Sequence, residues 1–126
     1  MDKKYTVLLV EDDAFLARIY ATALEAQGFR LSLASNGEDG LKLVEREKPD
    51  IIILDILLPE MDGYEFLEKI KADQGSANIP VLVLSNLGQK EDVDKAMQLG
   101  ASRYLIKAHA LPQHVLRNIN EILNIA

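Results

Sequence analysis

Apolar residues along this chain gather in short blocks, separated by longer stretches in which they recur every three or four positions. Five blocks stand out: Tyr5-Thr6-Val7-Leu8-Leu9-Val10, Arg30-Leu31-Ser32-Leu33-Ala34, Ile51-Ile52-Ile53-Leu54, Val81-Leu82-Val83-Leu84 and Arg103-Tyr104-Leu105-Ile106. The first, third and fourth are continuous, the pattern of central parallel strands covered on both faces. The second alternates, as an edge strand with one exposed face does. Helical periodicity fills the gaps. Phe15, Leu16, Ile19, Tyr20, Ala23 and Leu24 make one stripe, which Gly28 closes. Leu41, Leu43 and Val44 mark a second helix entered through Asn36-Gly37. Phe66, Leu67 and Ile70 mark a third, starting near Asp62-Gly63. Val93, Ala96 and Met97 mark a fourth, ended by Gly100. Val115, Ile119, Ile122 and Leu123 mark a fifth, with Pro112 in its first turn.

Five strands alternating with five helices predict an α/β fold, a doubly wound (βα)5 parallel sheet with right-handed crossovers. In such sheets ligands bind beyond the carboxyl ends of the strands. Chemistry is therefore sought in the residues that follow each block.

Composition narrows the picture. A length of 126 residues suits one domain spanning 1–126. The absence of cysteine removes disulfides, thiolate metal sites and thiol catalysis together. No apolar run approaches ~18 residues, and Met1-Asp2-Lys3-Lys4 leads straight into the first block, which fits neither a membrane span nor a secretory signal. A cytoplasmic protein is expected. Fourteen basic residues against twenty acidic give a net charge of −6, a field that repels nucleic-acid backbones and anionic membranes. Neither is expected as a direct partner.

At the ends of the blocks stand Glu11-Asp12-Asp13, Asp55, Ser85-Asn86 and Lys107. Asp13 reads as the N-cap of the first helix. Asp55 is different, because it ends a run expected to be buried, and an unpaired buried carboxylate is costly. Placing Glu11 and Asp12 beside it adds repulsion, which a hard cation such as Mg²⁺ would relieve. Lys107 adds a further positive charge. A metal and a lysine around one carboxylate would also stabilise a phosphoryl group in transfer, with Asp55 as nucleophile, Lys107 on one phosphoryl oxygen and the Ser85 hydroxyl on another. The residues by themselves leave open either this chemistry or a structural acidic rim.

The sequence resembles a response regulator receiver domain from about Tyr5 to Leu123. The resemblance rests on LLVEDD at 8–13, NGEDGL at 36–41, PDIIILDILLPEMDGYEFL at 49–67, PVLVLSN at 80–86 and GASRYLIK at 100–107. It implies the flavodoxin-like strand order 2-1-3-4-5 and a switch phosphorylated on Asp55 by a sensor histidine kinase or a histidine phosphotransfer protein. Glu11, Asp12 and Asp55 would bind Mg²⁺, with Leu57 contributing its backbone carbonyl. Ser85 would be the switch hydroxyl, Lys107 the site lysine, and Tyr104 the aromatic that turns inward as Ser85 is drawn to the phosphoryl group. Leu58-Pro59 and Asp62-Gly63 match the loop into the third helix, with a role in turn geometry. The fourth helix, fifth strand and fifth helix form the usual output face, exposing Asp92, Lys95, Gln98, Arg103, Gln113 and Asn118 to an unknown downstream protein. The oligomeric state is expected to be monomer or phosphorylation-dependent dimer. The chain stops just after the fifth helix with no output domain, so it either acts by binding partners or is part of a longer protein.

Three positions depart from the pattern. Ala108 follows Lys107 where proline is usual, so a trans peptide is expected there. Asn86 is larger than the usual alanine or glycine and is expected to narrow access to Asp55. Leu87 is apolar where many members are polar. With Leu57 it would flank the approach of water to the phosphoryl group, which predicts slow self-dephosphorylation. His109 and His114 read as surface residues near a helix start. A flavodoxin-like electron carrier is disfavoured because Glu11-Asp12-Asp13-Ala14 would repel the cofactor's phosphate. An aspartate-nucleophile phosphatase lacks its general acid, since Leu57 occupies that position. A receiver-like interaction module that works without phosphorylation is the remaining alternative.

Overall fold

Each apolar block forms a strand. The computed structural model describes residues 4–125. Its strands are β1 (Thr6–Val10), β2 (Arg30–Ala34), β3 (Ile51–Leu54), β4 (Val81–Ser85) and β5 (Arg103–Ile106). They alternate with α1 (Ala14–Glu25), α2 (Gly37–Glu47), α3 (Gly63–Ala72), α4 (Lys90–Gln98) and α5 (Pro112–Leu123), and one 3-10 turn, Lys107–His109, follows β5. Met1-Asp2-Lys3 lies outside the described residues. All the pairings are parallel, in the order β2-β1-β3-β4-β5.

The continuous runs are explained by two apolar layers. Successive strand residues point to opposite faces. Leu8, Val10, Ile52, Leu54, Val81 and Val83 pack on one face against Val44 of α2, Phe66, Leu67 and Ile70 of α3, and Ala96 of α4. Val7, Leu9, Ile51, Ile53, Leu82 and Leu84 pack on the other against Ala17, Tyr20 and Leu24 of α1 and Val115 and Ile119 of α5. β2 and β5 are the edges, and each is only partly covered.

Local chemistry sets the helix ends. Asp13, Asn36 and Asp62 are N-caps whose side chains accept from the N–H groups of Leu16, Asp39 and Glu65. Pro112 opens α5, where its missing N–H costs nothing. Gly28 and Gly100 follow α1 and α4 with φ of +96° and +105°, the left-handed conformation glycine tolerates best. Among the described residues no helix is long and apolar enough to cross a membrane.

Two helices differ in detail from their sequence pattern. The buried face of α1 is Ala17, Tyr20, Ala21 and Leu24, the i, i+3, i+4, i+7 set. Phe15 and Ile19 therefore fall off the stripe and stand 77% and 39% exposed. Ala17 and Ala21 share the buried face with Tyr20 and Leu24, while Phe15 and Ile19 face outward. α4 is the other case: Ala96 is its one buried residue, and Met97 faces solvent.

Candidate functional site

The carboxyl ends of β1, β3 and β5 bring an acid, an acid and a base together. The sheet ladder continues one residue past two of these strands: the Glu11 N–H donates to the Ala34 carbonyl at 2.9 Å, and the Asp55 N–H to the Val10 carbonyl at 3.1 Å. Both backbones are thus held by the sheet where their side chains leave it. The two carboxylates are buried, Glu11 at 3% and Asp55 at 4% exposure. Lys107 stands between them, its Nζ 2.5 Å from Glu11 Oε1 and 2.6 Å from Asp55 Oδ2.

The remaining carboxylate oxygens are also engaged. Glu11 Oε2 accepts the Asp13 N–H at 3.0 Å, and Asp55 Oδ1 accepts the Leu57 N–H at 3.1 Å. Asp12 is exposed and completes a trio whose ligand atoms lie within 4.8 Å of one another. Burial raises the Glu11 pKa more than its bonds to Lys107 and Asp13 lower it. Burial alone would lower the Lys107 pKa, but hydrogen bonds to Asp55 and Glu11 outweigh it, and the ammonium is held charged. Three carboxylates therefore face one ammonium. Hard oxygen donors this close, with negative charge in excess, suit a small divalent cation.

Ser85 is the last residue of β4 and fully buried. Its Oγ accepts the Leu87 N–H at 3.4 Å. Tyr104, on β5, is half-buried against the layer that holds α3 and α4. Its hydroxyl donates to the Leu87 carbonyl at 2.7 Å. Burial pushes that phenol up to about 12, helped by the neighbouring Tyr64 and opposed by the Ser85 hydroxyl, so it stays a donor. Leu87 is thus gripped on both sides, by Ser85 at its N–H and by Tyr104 at its carbonyl.

The other singled-out residues take defined places. The Leu57 side chain points outward at 55% exposure, and the bond the structure gives its backbone is the N–H to Asp55. Leu87 is partly buried and packs against the core. Asn86 spends its side-chain oxygen on the Ala108 N–H at 3.0 Å. The Lys107–Ala108 peptide is trans. Gly63 does more than shape a turn: a Cβ there would meet the Asp55 carbonyl oxygen at 2.5 Å and Ile56 Cα at 2.6 Å. His114 Nδ1 accepts the Leu111 N–H at 3.1 Å and caps α5, while His109 is exposed. The expected polar output set is partly spoken for. Arg103 holds Asn118 at 2.8 Å and also Glu121, and Asp92 accepts the Gln89 N–H at the start of α4.

One contributor leaves only a faint trace in the sequence. The buried Tyr20 of α1 donates its hydroxyl to the Ala110 carbonyl at 2.8 Å and so steadies the segment after Lys107. A tyrosine on a buried stripe, where phenylalanine would pack as well, is the one hint the sequence carried, since a buried hydroxyl needs a partner.

The chain matches the response regulator receiver domain family over residues 7–119. It belongs to that family. A relative of this receiver domain, the transcriptional regulatory protein AfsQ1 of Streptomyces coelicolor, is 37% identical over 103 residues, covering 81% of this chain and 44% of that protein. The chain spans about half the length of the curated relatives it matches. Among solved structures, a CheY-like response regulator receiver domain protein from Methanospirillum hungatei superposes with a TM-score of 0.90 at 26% identity, covering 97% of this chain and 95% of that one. The Mn²⁺-bound form of response regulator Rcp1 superposes at 0.80 with 27% identity, covering 93% and 92%. The receiver domain is thus a module of two-component signalling and not a metabolic enzyme, and its acidic trio fits a divalent cation.

Proposed function

We propose that this receiver domain is a phosphorylation-activated switch that takes a phosphoryl group from a phosphohistidine onto Asp55. The observation that carries this is the Lys107 ammonium lodged between two buried carboxylates, with Asp12 completing an oxygen-rich cluster beside them. An Asp55 carboxylate oxygen attacks phosphorus. The phosphorus–nitrogen bond breaks, its electron pair returns to the imidazole, and the imidazole takes a proton from water. Glu11, Asp12 and Asp55, with the Leu57 carbonyl, would hold Mg²⁺, which when bound supplies the positive charge that lets a carboxylate approach a phosphoryl group. Lys107 exchanges an Asp55 oxygen for a phosphoryl oxygen, and Ser85 donates its hydroxyl to another. Tyr104 follows, because Leu87 ties its hydroxyl to Ser85.

The phosphodonor is a sensor histidine kinase or a histidine phosphotransfer protein. Phe15, Leu57 and Leu111 give it an apolar landing around the rim, at 77%, 55% and 55% exposure. The altered surface is α4, β5 and α5, read by a downstream protein. Relatives named as transcriptional regulators favour a DNA-binding effector, with the acidic receiver itself making no nucleic-acid contact. It works in the cytoplasm as a monomer or a phosphorylation-dependent dimer. Incubation with Mg²⁺ and phosphoramidate should add the mass of one phosphoryl group to the intact protein, and Asp55→Asn should abolish the gain. An unmodified wild type would instead make the domain an interaction module independent of phosphorylation.

A further inference from the structure

The residue after Ser85 and the residue after Lys107 are joined across the rim. Asn86 Oδ1 accepts the Ala108 N–H at 3.0 Å, a bond between the loops that follow β4 and β5. The 3-10 turn does not use that N–H, since its own bond runs from the Ala110 N–H to the Lys107 carbonyl at 3.1 Å. On the opposite side the Tyr20 hydroxyl holds the Ala110 carbonyl at 2.8 Å. The backbone that carries Lys107 is therefore fastened at Ala108 from β4 and at Ala110 from α1. A lysine side chain is long and rotamer-rich, so where its ammonium rests depends on how firmly its backbone is held. Asn86 is itself exposed, and packing does not account for its orientation.

We propose that Asn86 is a positioning residue for Lys107: by holding the Ala108 N–H, its amide oxygen fixes the backbone from which the ammonium is aimed at Asp55 and Glu11. The consequence for phosphorylation rests on the function proposed above, but the positioning itself can be read in the unmodified protein. Asn86→Leu keeps the bulk and removes the acceptor, Asn86→Ala removes both, and Ala108→Pro removes the donor. In metal-free protein, the Lys107 ammonium signal in nitrogen-15 NMR should be sharp in the wild type. It should broaden in both Asn86 variants, with Ala108 amide exchange about fivefold faster, the loss expected of one hydrogen bond. With Mg²⁺ and phosphoramidate, both Asn86 variants should react about fivefold more slowly. In the Ala108→Pro background, Asn86→Leu should cost nothing further. An unchanged ammonium signal in Asn86→Leu overturns the proposal. So does faster reaction in Asn86→Ala with a wild-type rate in Asn86→Leu, the pattern of a side chain that only narrows the entrance. A wild type that takes no phosphoryl group removes the phosphorylation reading alone, and the ammonium signal still decides the role of Asn86.

Discussion

At the scale of single residues the site is an imbalance of charge held in place. Lys107 cannot neutralise Glu11, Asp55 and Asp12 together, and two of the three are taken out of water. Replacing Asp55 by asparagine removes one negative charge and leaves Glu11 and Asp12 beside Lys107, a smaller excess. The metal-free melting temperature of Asp55→Asn is therefore expected to rise, by about 4 °C for each kcal/mol relieved in a domain of this size. Millimolar Mg²⁺ should raise the wild-type melting temperature by mass action and the variant's much less. Calorimetric scans of both proteins with and without Mg²⁺ check this, and a wild type indifferent to Mg²⁺ would speak against the cation site. The two leucines near the site separate in the structure. Leu87 is partly buried against the core, whereas Leu57 faces outward. An apolar side chain there cannot orient a water for attack on phosphorus, so the phosphorylated protein is expected to decay slowly. Leu57→Asn should speed that loss several-fold, followed by intact mass after the phosphodonor is removed. Equal decay in the two proteins would show that Leu57 is not the protecting group.

Glu11, Asp12, Asp55, Ser85 and Lys107 could all be found from the sequence because each sits at the end of an apolar block, where a parallel sheet must place it. Ala108 and Asn86 could be found only as two separate oddities. Their hydrogen bond is a fact of three dimensions between loops that periodicity does not relate. Tyr20 was hidden for a different reason: on a helix stripe its ring accounts for its burial, and the hydroxyl's partner lies on another element.

At the scale of elements, α3 governs how Asp55 is presented. Gly63 lies so close to the backbone of Asp55 and Ile56 that its N–H donates to the Ile56 carbonyl at 2.8 Å. The Asp62-Gly63 pair reads as turn geometry, and Asp62 does cap the helix. The glycine is needed for a second reason, which is that no other residue fits against the strand end. Gly63→Ala should push α3 and β3 apart at a cost of about 1–3 kcal/mol, the range for overpacking. Because the backbone it strikes is that of Asp55, phosphorylation by phosphoramidate should slow as well. Denaturant melts and the reaction rate measured on one sample test both parts, and a variant of wild-type stability would show that the loop yields freely. On α1, the order of side chains along the stripe misled the sequence reading. Tyr20 and Leu24 are buried as the stripe predicts, but Ala17 and Ala21 share that face in place of Phe15 and Ile19. Phe15 and Ile19 are left facing outward.

At the scale of the whole molecule, the elements are fastened to the sheet unequally. β1, β3 and β4 are buried along nearly their whole length, while α1 and α3 each bury four residues. α4 buries Ala96 alone and is otherwise steadied at its rim: the Tyr64 hydroxyl donates to the Asp92 carbonyl at 3.2 Å, and the Lys95 ammonium sits 4.3 Å from the Tyr64 ring centroid. Little apolar area must be wetted to release such a helix. Its amides are expected to exchange with deuterium through a local opening well below the cost of global unfolding, ahead of those of α1 and α3. Tyr64→Phe should quicken that exchange further without moving the exchange of β1 and β3. Equal protection of α4 and α1 would contradict this. On the function proposed above, in which a partner reads α4, β5 and α5, such opening would make that surface an ensemble of shapes, and a phosphoryl group that firms the loop before α4 would signal by lowering disorder as much as by moving atoms. Partners of this face would then discriminate between a fluctuating surface and a quiet one.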